Sequence, residues 1–266
     1  MADFTDDLRL AHLLADNADS ITMKRFMARD LDASLKADNT VVTDADKSAE
    51  QAIRRSIAAA RPRDAVHGEE LGDTGWSSRQ WVVDPIDGTA NYVRGVPVWA
   101  TLVALMVEGV VRAGVVSAPA LSRRWWASQG GGAWMGKSLF TGARIRVSDV
   151  DEIPQAFMSY SSLSGWISNQ RGQQFVDLMR DCGRTRAFGD FFSYMLVAQG
   201  SVDIATEPQL ALHDMAALDI IVREAGGRFT NLDGLEGPHG PGALATNGVL
   251  HEKVLARLAV EPGSNP

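Results

Sequence analysis

Between residues 3 and 29, Leu10, Leu13, Leu14, Ala18, Ile21 and Met23 recur at spacings near three and four among charged positions. That period predicts one long amphipathic helix, and its acidic start suits the positive end of the helix dipole. Val41, Val42 and Thr43 follow a mixed stretch. Thr43 with Asp46 three residues on predicts a capped helix to about Ala60, closed by Arg61-Pro62-Arg63. The apolar string Gln80-Trp81-Val82-Val83 reads as a buried strand that breaks at Asp84-Pro85-Ile86-Asp87-Gly88-Thr89, since proline and glycine both interrupt a ladder.

Residues 99–107 and 110–117 are β-branched and apolar around Glu108-Gly109, which predicts a hairpin. Further strands are expected at 124–128, 133–135 and 144–147, extending an antiparallel sheet. Beyond about Glu152 strands and helices alternate: a strand at 156–159, a helix near 170–181, another after Asp190 and a strand at 201–205. Residues 214–224 predict an apolar helix closed by Gly226-Gly227, and 248–258 a last one before a Pro/Gly/Ser/Asn tail. The expected class is α+β in one structural unit, with an N-terminal subdomain at 1–150 and a C-terminal one at 151–266.

The chain's 266 residues carry 26 Lys or Arg and 33 Asp or Glu, a net charge of −7. With 45% hydrophobic and 22% charged residues, the composition is that of a folded protein in water. The acidic balance and the lack of a basic run, Arg123-Arg124 being only a pair, argue against nucleic acid as the main partner. Apolar runs such as 96–107 fall short of the roughly 20 residues that span a bilayer, so no membrane partner is expected. The acidic start lacks the basic flank of a secretion signal, and Cys182 is the single cysteine. A cytoplasmic location is expected.

Asp84 and Asp87, three apart at a strand end, can turn two carboxylates to one point, and the Ile86 carbonyl is freed beside them. Mg²⁺ takes oxygen donors of this kind. Asp-Pro and Asp-Gly also serve plain turns. Gly88 and Thr89 stand at the expected start of a short helix, whose free N–H groups attract an anion such as phosphate. Gly68-Glu69-Glu70 upstream and His213-Asp214-Met215 downstream add acids. Taken singly, the glutamates read as solvated and Asp214 as a helix N-cap.

Together these strings carry a resemblance. Trp81-Val82-Val83-Asp84-Pro85-Ile86-Asp87-Gly88-Thr89-Ala90-Asn91-Tyr92, Gly68-Glu69-Glu70, the 41–46 segment and Asp214-Met215-Ala216-Ala217 through Glu224-Ala225-Gly226-Gly227 resemble the inositol monophosphatase family over roughly residues 5 to 258. The resemblance implies a layered αβαβα sandwich, Mg²⁺-dependent phosphomonoester hydrolysis, lithium sensitivity and a homodimer. It also implies roles. Glu69, Asp84 and the Ile86 carbonyl would hold a first metal, Asp84, Asp87 and Asp214 a second, and Glu69 would touch a third. Two cations roughly 4 Å apart clamp the attacking and leaving oxygens of an in-line displacement. Thr89, oriented by Asp46, would position and deprotonate the attacking water, and the Gly88 and Thr89 N–H groups would bind phosphate.

The leaving alcohol is expected against 186–194 and 205–208. Glu207 matches an acid that accepts hydrogen bonds from a polyol, and Asp190 adds a second acid, which favours a cation. Histidinol phosphate brings an ammonium group and an imidazole. The run 189–194 and the His213-Asp214-Met215 variant resemble the histidinol-phosphate phosphatases of the family found in actinobacteria. Asp190 also suits an N-cap, and Phe191 or Phe192 suits the core. Arg186 and the loop 159–166 could meet the substrate or a dimer partner, while Lys36 near the metal loop carries no assignment. Trp76, Trp125 and Trp126 read as packing. The alternatives are an inositol-1-monophosphatase or broad polyol phosphatase and, outside enzymes, a catalytically silent phosphate-ligand binder.

Overall fold

The computed structural model describes residues 3–37 and 39–260, so the residues of the tail from 261 onward lie outside the described ones. The chain opens with α1 (Thr5–Arg25), β1 (Ala33–Leu35), β2 (Val41–Thr43) and α2 (Asp44–Ala60), with β1 and β2 as a small antiparallel pair. α1 stops at Arg25, short of the expected end, because Phe26 is no longer helical and Met27 takes a φ of 61°. The next strands are β3 (Ala65–Gly68), β4 (Gly72–Thr74) and β5 (Arg79–Asp87); after α3 (Thr89–Val93) come β6 (Ala100–Val107), β7 (Val110–Ala118), β8 (Arg123–Ser128), β9 (Gly132–Gly136) and β10 (Ala143–Arg144). They form one sheet in the order β10-β9-β8-β7-β6-β5-β3-β4, antiparallel except for β3 beside β5.

The expected hairpin is present, and Glu108 and Gly109 both take the positive φ that tightens a two-residue loop to the strand twist. The strand expected at 144–147 is pulled out of the ladder after Arg144. Val147 N–H turns instead to the Ala225 carbonyl at 3.1 Å.

The second half contains β11 (Phe157–Ser159), α4 (Leu163–Ile167), α5 (Gly172–Asp181), β12 (Arg184–Arg186), α6 (Asp190–Ala198), β13 (Ile204–Glu207), α7 (Leu212–Glu224), β14 (Arg228–Thr230), β15 (Ala243–Thr246) and α8 (His251–Leu258). Its five-stranded sheet runs β12-β11-β13-β15-β14. The strand expected at 201–205 starts later, since Ser201 and Val202 N–H groups both fold back to the Leu196 carbonyl.

Alternation along the strands explains the layering. Trp81, Val83, Val103 and Leu105 face α1 and α2 through Leu14 and Ile53, while Val82, Leu102 and Ala104 share a second core with Met195 of α6 and Ile220 and Ile221 of α7. The same core reaches Phe229 and Ala245 of the second sheet, whose other face, with Ile204 and Leu244, is covered by Phe175, Leu178, Val254 and Leu258. Helices, sheet, helices, sheet and helices stack in that order, the αβαβα sandwich of an α+β protein. Trp125 and Trp126 are buried as expected, whereas Trp76, in the loop before β5, is fully exposed and packs on no core. Among the described residues no helix is long and apolar enough to cross a membrane.

Candidate metal and phosphate site

The end of β5 sets the geometry. The sequence predicts a break at Asp84, but the strand continues to Asp87 through a register shift: Asp84 faces Leu102 and Asp87 faces Ala100, so β5 advances three residues while β6 advances two. In a regular strand, positions three apart point to opposite faces; one extra residue restores a common face. Pro85 suits the bulge because it has no N–H to lose, and its carbonyl is taken by Thr101 Oγ1 at 2.8 Å. Ile86 N–H donates to Asp84 Oδ1 at 3.0 Å.

Asp214 completes a triangle in which one oxygen each from Asp84, Asp87 and Asp214 lie within 4.8 Å of one another. Asp214 is not the N-cap of α7. It lies three residues inside, where its Oδ2 accepts the Ala211 N–H at 2.7 Å. Burial pushes all three carboxyls up, and the negative charges around them add to the shift: Glu69, Asp87 and Asp214 at Asp84, and Asp190 and Asp214 at Asp87. Crowded like charges on an all-oxygen donor set, with Asp84 buried and Asp87 and Asp214 half-buried, fit a hard divalent cation.

Thr43 caps α2 as expected. Its side chain accepts from Ala45 and Asp46 N–H groups, and Asp46 Oδ2 in return accepts from Thr43 N at 2.9 Å and Thr43 Oγ1 at 2.5 Å. The other oxygen, Asp46 Oδ1, lies 3.3 Å from Thr89 Oγ1, whose single hydrogen faces both it and the Ile86 carbonyl at 2.9 Å. Burial raises the Asp46 carboxyl to about 6. Glu69 lies beside Asp84 but is held by Lys36, whose Nζ is 2.7 Å from Glu69 Oε1 and 2.7 Å from Glu70 Oε1. The expectation of solvated glutamates therefore fails for Glu70: its side chain is buried, and burial raises its carboxyl to about 7.

On the other side of the triangle, Phe191 N–H donates to Asp87 Oδ2 at 2.8 Å, which ties the first turn of α6 to the β5 bulge. Asp190 is the first residue of α6, after an N-cap at Gly189, so the cap reading of Asp190 does not hold. Burial and the Asp214 charge bring its carboxyl to about 6. Burial raises Glu207 to about 8 against the opposing Ser161 hydroxyl, with Asp190 and Asp214 adding to the rise. Phe191 is core against Trp125; Phe188 is exposed and Phe192 half-buried. Arg186 is exposed at the end of the edge strand β12, where its Nη1 donates to the Thr185 carbonyl, and among the described residues nothing joins it to the acids. In the 159–166 loop Ser161 meets Glu207, while Trp166 is buried and stacked on Phe175 at 4.2 Å. His213 stacks with His67 at 5.8 Å between ring centres. Sequence reasoning placed Ser161 and Tyr194 within candidate segments, 159–166 and 186–194, but singled out neither. Tyr194 is wholly buried, and its hydroxyl has no partner among the described residues.

The layered fold carries an acid cluster suited to phosphate-ester chemistry, and residues 5–261 match the model of the inositol monophosphatase family, to which the chain belongs. It is 57% identical to the histidinol-phosphatase of Streptomyces coelicolor, over 97% of this chain and 98% of that one. It is 56% identical to the histidinol-phosphatase of Mycobacterium tuberculosis, over 95% of this chain and 98% of the relative. A solved inositol monophosphatase from Zymomonas mobilis superposes with a TM-score of 0.84 at 30% identity, covering 98% of this chain and all of that one.

Proposed function

We propose that this chain hydrolyses L-histidinol phosphate to L-histidinol and inorganic phosphate as a Mg²⁺-dependent phosphomonoesterase. The observation that carries the reading is the pair of acids beside the metal triangle, Asp190 and Glu207, with the Ser161 hydroxyl accepting from the Asp190 backbone N–H and donating to Glu207. A neutral polyol needs no second carboxylate there. An ammonium group and an imidazole N–H both gain charge-assisted hydrogen bonds from one. The names and high identity of the actinobacterial relatives support the same substrate.

Asp84, Asp87, Asp214, Glu69 and the Ile86 carbonyl would hold the cations. When bound, such cations neutralise phosphoryl oxygens and acidify water. The Gly88 and Thr89 N–H groups orient the phosphate. Thr89 Oγ accepts a proton from the attacking water and passes its own to Asp46 Oδ1, whose raised pKa makes it a stronger base. Water oxygen bonds to phosphorus as the bond to the alcohol breaks; the departing alkoxide takes a proton from a solvent water, and Asp46 releases the proton it gained to solvent, which closes the balance. Catalysis is therefore positioning and electrostatics, with no covalent protein intermediate.

The reading includes two or three Mg²⁺ per site, inhibition by lithium, a cytoplasmic location, and a homodimer of chains in which 1–150 and 151–266 work as one unit. The test is phosphate release from histidinol phosphate, inositol 1-phosphate, fructose 1,6-bisphosphate and glycerol 2-phosphate, with Mg²⁺ and with EDTA. The expected result is a kcat/KM at least about a hundredfold higher for histidinol phosphate, lost in EDTA. Comparable rates on the polyol esters would move the chain to a broad polyol phosphatase, and no turnover with Mg²⁺ to a phosphate-ligand binder.

A further inference from the structure

Asp190 takes a φ of 48°, a left-handed conformation uncommon for a residue with a side chain. Such a backbone persists only where its surroundings fix it, and three hydrogen bonds do so. Its N–H donates to Ser161 Oγ at 2.6 Å, and its Oδ2 accepts from Asn91 Nδ2 at 2.9 Å. The following N–H, of Phe191, is held by Asp87. Gly88, at a φ of 82°, completes the packing: a Cβ there would stand 3.0 Å from the Val98 carbonyl oxygen and 3.2 Å from the same Asp190 Oδ2, so glycine suits this approach.

The orientation of both helper side chains is determined by their partners. The Asn91 amide group spends both hydrogens, one on the Val98 carbonyl at 2.9 Å and one on Asp190. Ser161 accepts from Asp190 N–H and therefore donates its own hydrogen to Glu207 Oε1 at 2.8 Å. The chain Asn91, Asp190, Ser161, Glu207 thus bridges the α3 end of the metal loop to β13. Among the described residues it leaves Asp190 Oδ1 and Glu207 Oε2 without hydrogen bonds, as acceptors for a ligand.

We propose that Asn91 and Ser161 are specificity-positioning residues: without touching the reacting phosphate, they fix the two carboxylates that select an amine-bearing alcohol. The inference rests on the reading of Asp190 and Glu207 given above and names what makes that pair rigid. A carboxylate held at one oxygen and at its own backbone presents the other oxygen in one direction. A loosened one is free to turn to water or to the neighbouring cations.

The experiment compares wild type with Asn91→Ala, Ser161→Ala, Asp190→Asn and the Asn91→Ala/Asp190→Asn double variant, on histidinol phosphate and glycerol 2-phosphate with Mg²⁺. Asn91→Ala and Ser161→Ala should each lower the ratio of the two kcat/KM values about tenfold, mainly through KM for histidinol phosphate, as a buried partner left unpaired does. The double variant should be no less selective than Asp190→Asn alone, since Asn91 acts through Asp190. Equal losses on both esters, or full additivity, would show that Asn91 only braces the loop through Val98, and would overturn the inference. Should Asn91→Ala not fold, Ser161→Ala decides alone, from the other end of the chain. A wild type that does not prefer histidinol phosphate overturns the functional reading and this inference together; a preference that survives in both single variants overturns this inference only.

Discussion

Glu50 is a charged residue with no solvent exposure, and its position is explained by the turn it supports. Its oxygens accept the Glu70 N–H at 2.7 Å and the Leu71 N–H at 3.2 Å, and Arg54, one helical turn on, balances its charge at 2.7 Å. Arg54 continues to the Gly72 carbonyl and Thr74, so the α2 pair clamps the β3–β4 turn that carries Glu69. Gly68 allows this, because a Cβ there would stand 2.1 Å from Glu50 Oε1. Gly68→Ala should therefore displace the turn and weaken divalent-cation binding by about tenfold or more, the usual effect of disturbing groups that orient a ligand. Calorimetric titration with Mn²⁺ checks it, and an unchanged affinity would show that Glu69 is positioned without Glu50. Asp84, Asp87 and Asp214 were legible as acids in short polar strings. Glu50 was not, because its partners are backbone groups about 20 residues away with no pattern of their own; Glu207 was legible as an acid, but its pairing with Ser161, 46 residues away, was not.

α2 begins with a capping box, and that box also aims a reactive group. Thr43 satisfies the first free N–H groups of the helix and donates its own N–H and hydroxyl to Asp46 Oδ2, which leaves Oδ1 directed at Thr89. Thr43→Ala should cost about 1 kcal/mol of stability, a fall in Tm of roughly 2–4 °C for a chain of this size. Its effect on turnover should be larger than that loss implies, in kcat more than in KM, because Asp46 loses the bonds that orient it. Thr43→Ser, which keeps the hydroxyl, should restore both, and a kcat that follows stability alone would separate Asp46 from the chemistry. This element was legible because capping is local. The β5 bulge was not: Pro85 and Gly88 announce an interruption, but whether a strand stops or shifts register is decided by the pairing of Asp84 and Asp87 with β6, 13 to 18 residues along the chain. Short strands such as β4, β14 and β15 hold too few residues for a period to show.

The whole molecule gathers acids from the first sheet, from α6 and α7, and from β13 of the second sheet into one buried region between its layers, and this arrangement has a consequence for stability. Glu207 ionises near 8 in the folded protein because burial, with Asp190 and Asp214 facing it, outweighs the Ser161 hydroxyl; in the unfolded chain it ionises near 4.5. Between those values the folded state binds the extra proton, so cation-free protein loses stability as pH rises, by an amount on the order of a few kcal/mol. His12 and His251 act oppositely. Burial lowers each from 6.5 to about 4, so their contribution grows with pH over that interval and is constant above it. Above about pH 6.5 the carboxylate slope stands without theirs. Glu207→Gln keeps an oxygen for the Ser161 hydroxyl and removes the titration. In EDTA its Tm should exceed that of wild type by a margin that widens from pH 6.5 to 8.5, while its kcat/KM for histidinol phosphate falls. Parallel Tm profiles would mean that Glu207 is already ionised in the fold, with water or a neighbouring group supplying the balance. A widening gap would show that the acid pair which selects the substrate is maintained at the expense of the stability of the cation-free chain.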